Sequence, residues 1–94
     1  MADKEIILVV EDNQQLAEFV TFTLLPSLGY EGRVAYNGNT ALQTIRLFPP
    51  ALVLLDFELP DTNGLDFLRQ LAAEGQSVPT ILMTAHGSEH LPSC

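Results

Sequence analysis

The stretch from Leu52 to Gly64 constrains the fold more than any other: Leu52-Val53-Leu54-Leu55-Asp56-Phe57-Glu58-Leu59-Pro60-Asp61-Thr62-Asn63-Gly64. A short apolar run ends abruptly on a carboxylate, and turn formers follow at once. The run is too short for an ordinary helix and suits a strand buried on both faces. Asp56 then stands where the strand leaves the core. In open parallel sheets, ligands bind just outside the carboxyl ends of the strands. A carboxylate at that place can be a nucleophile, a metal ligand or only a turn cap.

The rest of the chain supplies matching pieces. Ile6 to Val10 reads as a second buried strand, and it too runs into acids, Glu11 and Asp12. From Asn13 the period becomes helical, with Leu16, Phe19, Val20 and Leu24 as the expected apolar face and Asp12 or Asn13 as the cap. Pro26 should end or kink this helix, and Gly29 marks its exit. Gly32 to Tyr36 reads as a weaker edge strand, followed by a turn at Asn37-Gly38. Ala41, Leu42, Ile45 and Phe48 predict a second helix, stopped by Pro49-Pro50. Leu65, Leu68, Leu71 and Ala72 predict a third, ended by Gly75. Pro79 to Thr84 is a further strand with a polar carboxyl end. Strands alternating with helices imply right-handed crossovers and a parallel sheet.

With 94 residues, one domain covering 1–94 is expected. Twelve acidic residues against four basic ones give a net charge of −8, which argues against direct binding to nucleic acid or an anionic membrane. A divalent cation suits an acidic cluster better. The lone cysteine, Cys94, cannot form an internal disulfide. With no bilayer-length apolar run and no signal-peptide pattern, a cytoplasmic location is the expectation.

Glu11, Asp12, Asp56 and Thr84 all end strands. If the first and third strands are neighbours, the three carboxylates converge on one crevice. Like charges that close raise one another's pKa unless a cation intervenes. Mg²⁺ accepts one or two carboxylates and keeps several waters. An ionised Asp56 can then attack phosphorus and become an aspartyl phosphate. Thr84 could donate its hydroxyl to a phosphoryl oxygen, and the backbone N–H groups that follow Asp56 and Thr84 could do likewise. The plainer alternatives stand beside this. A single acid at a strand end commonly caps a helix, and Thr84 can simply bond backbone. Asp61 and Asn63 read as turn residues and Asp66 as a first-turn acid. His86 and His90 have no third ligand nearby and read as loop. An Asp-nucleophile hydrolase would want a second Asp as general acid near the first. Asp56-Phe57-Glu58 offers only a Glu there.

Taken together, Val9-Val10-Glu11-Asp12-Asn13, Leu54 to Gly64, and Pro79-Thr80-Ile81-Leu82-Met83-Thr84-Ala85 resemble the receiver domain of two-component response regulators, from Ile6 to about His90. The resemblance implies an α/β, flavodoxin-like open parallel sheet with strand order 2-1-3-4-5. It implies that Asp56 accepts a phosphoryl group from a histidine kinase or histidine phosphotransfer protein. It further implies that Mg²⁺ is held by Asp12 and Asp56, by Glu11 mainly through water, and by the backbone carbonyl of Glu58. Thr84, with Ala85 beside it, would contact the phosphate. Such a module assists its own phosphorylation and dephosphorylation without being a turnover enzyme.

A complete receiver continues through a fourth helix, a fifth strand ending on a lysine, and a fifth helix. The only lysine here is Lys4, at the wrong end of the sheet. The expectation is therefore an incomplete receiver lacking the fifth strand and fifth helix, with impaired phosphorylation. Its fourth strand would be an apolar edge that invites self-association. The alternative reading is a non-catalytic interaction or dimerising fragment of such a domain.

Overall fold

The computed structural model describes residues 4–83. Strand β1 (Ile6–Val10) leads into helix α1 (Gln14–Phe19), a π-helical segment (Val20–Leu24) and a last helical turn α2 (Leu25–Ser27). Strand β2 (Glu31–Ala35), helix α3 (Gly38–Leu47), strand β3 (Leu52–Asp56), helix α4 (Gly64–Ala73) and strand β4 (Thr80–Met83) follow. All pairings are parallel and the order is β2-β1-β3-β4, the flavodoxin-like arrangement expected for the first four strands. The fifth strand of that fold is absent among the described residues, and β4 is an edge there with Ile81 and Leu82 exposed. No helix among the described residues is long and apolar enough to cross a membrane.

The central strands are apolar without interruption because both faces are covered. On one face Leu8, Val10, Val53 and Leu55 pack against Ala41, Leu42 and Ile45 of α3 and Phe67 and Leu71 of α4. On the other, Ile7 and Val9 pack with Leu25, joined by the half-buried Val20, Leu52 and Leu54.

Ala41, Leu42, Ile45, Leu68 and Leu71 face the core as predicted, and other helix positions depart from their predicted faces. The first helix buries Ala17, Thr21 and Leu25, while Leu16, Phe19 and Leu24 are exposed. The buried face is offset by about one residue from the predicted one: at Thr21 the chain comes so close to β2 that only a small side chain fits, while Leu25 reaches the core beside Ile7 and Val9. Gly32 of β2 lies directly against the backbone of Thr21. In α3 the stripe ends at Ile45, and Phe48, at the C-cap, is exposed. In α4, Phe67 takes the core position and Leu65 and Ala72 face outward. Asn37-Gly38 is the start of a helix instead of a free turn: Asn37 caps α3 and Gly38 is its first residue. Strand β2 begins at Glu31, one residue earlier than predicted. Pro26 does not end the first helix but sits within its last turn, and Gly29 (φ +91) and Gly75 (φ +75) provide the left-handed exits.

Candidate functional site

Parallel strands present all their carboxyl ends along one rim, and order β2-β1-β3 makes β1 and β3 neighbours there. Val10 pairs with Leu55, so the residues just past each strand share a crevice. The chain that follows each of β1, β2 and β3 is turned by an asparagine. Asn13 accepts from the Leu16 N–H (3.0 Å), Asn37 from Thr40 (2.8 Å) and Asn63 from Asp66 (2.9 Å). Each is an N-cap, the role that Ser, Thr, Asp and Asn fill best. Capping of α1 therefore falls to Asn13 and not to Asp12. Asn63, read from the sequence as a turn residue, is the cap of α4.

The structure brings Glu11, Asp12 and Asp56 together. One oxygen of each lies within 4.8 Å of the others. Glu11 and Asp56 are buried and Asp12 is exposed. Burial pushes the Glu11 carboxyl above its ordinary pKa, and the charges of Asp56 and Asp12 push the same way; the Asn13 N–H bond at 3.0 Å opposes them. The group opens onto a cleft of about 460 Å³ also lined by Asn13, Leu16, Glu58, Leu59 and Pro60. No lysine or arginine lines it among the described residues. The arginines are paired on the surface: Arg33 with Glu31, Arg46 with Glu74 and Arg69 with Asp66. Two carboxylate charges 4.8 Å apart in the acidic group repel by roughly 3 kcal/mol at an effective dielectric of about 20. Three oxygen donors at the mouth of a cleft without a basic side chain fit a hard dication such as Mg²⁺, which prefers carboxylate oxygen and water.

Glu58 lies at the cleft and bridges to Asn63 in the loop after β3. Thr84 and Ala85 lie outside the described residues, as do His86, His90 and Cys94. The sequence reading missed the apolar side of the cleft, Leu16 with Leu59 and Pro60. The period of Leu16 predicts a core position, but its side chain lines the cleft instead.

Beyond shaping a turn, the Asp61 carboxylate accepts from the N–H groups of Gly38 (2.8 Å) and Asn39 (2.9 Å) at the start of α3. The Gly38 bond in particular holds its pKa below the ordinary carboxylate range. A carboxylate with a depressed folded-state pKa contributes stability that is present above its unfolded pKa. That contribution is lost as pH falls through the folded value. Asp61→Asn trades a charged acceptor for a neutral one and leaves one of the two N–H donors without an oxygen, so it is expected to lower stability by about 1 kcal/mol at neutral pH. The deficit should shrink in acid, as read from urea midpoints across the carboxylate range.

The chain matches the response regulator receiver domain over residues 7–92. It is 43% identical over 79 residues to the DNA-binding response regulator MtrA of Mycolicibacterium smegmatis, covering 84% of this chain and 34% of that protein. It is 39% identical over 80 residues to the regulatory protein LuxO of Vibrio vulnificus, covering 85% of this chain and 17% of that one. The chain thus spans about a third or less of the length of these relatives. A receiver domain (CheY-like) from Methylobacillus flagellatus superposes with a TM-score of 0.82 at 28% identity, covering 92% of this chain and 74% of that structure. With the sheet order, the acidic rim and these likenesses in agreement, the chain belongs to the response regulator receiver domain family.

Proposed function

We propose that this chain is a phosphoacceptor module of a histidine-to-aspartate relay, with Asp56 as the acceptor. The observation that carries this reading is the meeting of Glu11, Asp12 and Asp56 at the tips of two adjacent strands. A carboxylate oxygen of Asp56 attacks phosphorus of a phosphohistidine on a histidine kinase or phosphotransfer protein. The new O–P bond forms as the N–P bond breaks, and the electron pair leaves with the imidazole. Asp12, Asp56, the Glu58 backbone carbonyl and, through water, Glu11 would hold Mg²⁺. The bound ion would supply positive charge against the phosphoryl oxygens. Thr84 and Ala85 are proposed to donate to those oxygens from the next strand end. The setting proposed is the cytoplasm, where such kinases present their phosphohistidine.

Phosphorylation replaces a buried carboxylate by a group of higher charge, and that change biases the surrounding loops. The test is incubation of the folded chain with acetyl phosphate and Mg²⁺, followed by intact-mass analysis. One phosphoryl group per chain is expected, dependent on Mg²⁺ and lost in Asp56→Asn. A folded sample that gains no mass, or equal labelling of Asp56→Asn, would count against the proposal.

A further inference from the structure

We propose that Asp61 is a positioning residue: its carboxylate ties the loop after Asp56 to the start of α3 and so holds one wall of the acidic cleft in place. Its functional consequence rests on the phosphoacceptor reading above. The ends of this loop are set by backbone bonds. Phe57 N–H donates to the Met83 carbonyl (2.9 Å), and Gly64 N–H donates to that of Phe57 (2.6 Å). Within the loop, Leu59 N–H donates to the Thr62 carbonyl (3.0 Å), which closes a turn around Pro60 and Asp61.

The apex of that turn is fastened to another element. Each oxygen of Asp61 takes one helix-start N–H, Gly38 at 2.8 Å and Asn39 at 2.9 Å. A residue that served only its own turn would bond its neighbours in sequence. Here the partners lie more than twenty residues away. The helix already has its own local cap, since Asn37 takes the Thr40 N–H. Asp61 therefore satisfies N–H groups that Asn37 does not take.

The contact is also close. A Cβ added at Gly38 would lie 2.5 Å from Thr62 Cγ2 and 3.3 Å from Asp61 Oδ1. The opposite side of the same loop presents Glu58, Leu59 and Pro60 to the cleft. Displacement of the loop from α3 thus moves the wall against which an incoming phosphoryl group must align. Small displacements of positioning groups are expensive in rate.

The experiment compares Asp61→Ala, Asp61→Asn and Asn37→Ala in the full chain, at a temperature where circular dichroism shows each folded. Amide hydrogen exchange over residues 58–64 and the time course of phosphoryl incorporation from acetyl phosphate are read together. Asp61→Ala is expected to speed exchange in the loop and to slow incorporation by about tenfold. Asp61→Asn, which keeps one carbonyl acceptor, should recover most of that rate. Asn37→Ala weakens the same helix start without touching the loop, so it should raise exchange in α3 and leave the incorporation rate within about twofold. Unchanged loop exchange in Asp61→Ala overturns the proposal, and so does equal slowing by Asn37→Ala. If the parent chain takes no phosphoryl group, the phosphoacceptor reading falls, while the exchange comparison still decides whether Asp61 holds the loop.

Discussion

Asp56→Asn is expected to make the metal-free protein more stable than the parent and to remove most of its response to magnesium. Asp56 and Glu11 are buried, and with Asp12 they bring three carboxylates within 4.8 Å. Folding without a cation therefore works against mutual repulsion and desolvation. Part of this is relieved by protonation, which is the direction in which the Glu11 pKa is moved. A neutral amide of nearly the same shape removes two of the three repulsive pairs. After relaxation and solvent screening, a net gain of about 1–2 kcal/mol is expected, well below the bare Coulomb figure. The parent should respond in the opposite sense to metal. At a magnesium concentration about ten times its dissociation constant, linkage stabilises the folded state by about 1.4 kcal/mol. The variant, short of one charged ligand, should gain far less. Urea unfolding in chelator and in magnesium measures both quantities. A variant that is less stable in chelator yet equally responsive to magnesium would show that the three acids do not form one site.

Gly32→Ala should produce the largest loss of stability. A Cβ at this position would drive into the carbonyl oxygen of Thr21 and lie 2.9 Å from its Cγ2 and 3.0 Å from its carbonyl carbon. Two of these three obstacles are backbone, so no rotamer change clears them. The π segment must move away from β2, and with it Leu25, which belongs to the second core cluster. Overpacking of this kind costs about 3 kcal/mol. For a domain of this size that corresponds to a fall in melting temperature of about 15 °C. Adding Thr21→Ala should not rescue the variant, because it removes Cγ2 and leaves the carbonyl. Full rescue by the double substitution, measured by thermal denaturation, would show that the side chain was the obstacle.

The same contact explains why the first helix buries a different face from the one its spacing predicts. Leu16, Phe19 and Leu24 are large, apolar and at helical spacing, and a hydrophobic stripe ordinarily marks the buried face. Here the distance between helix and strand decided otherwise. With glycine in β2 the π segment approaches closely at Thr21, and burial of Thr21 carries Ala17 and Leu25, four residues to either side, onto the same buried face. The Thr21 hydroxyl is buried there, with no hydrogen-bond partner among the described residues. No one-dimensional pattern announces such a choice. The role of Asp61 is likewise invisible in local sequence, because its partners, Gly38 and Asn39, are near only in space.

What the linear order of residues determined by itself is the alternation of strands and helices, and the abrupt ending of two apolar runs on Glu11, Asp12 and Asp56. These are local properties, since apolar runs, asparagine caps and glycine exits act within a few residues. The tertiary structure decided which strand lies beside which, and therefore that those acids share one cleft. It also decided which side of the first helix faces the sheet, and it linked the loop after Asp56 to the start of α3. Those outcomes depend on the distance between elements, which packing sets and sequence spacing does not record.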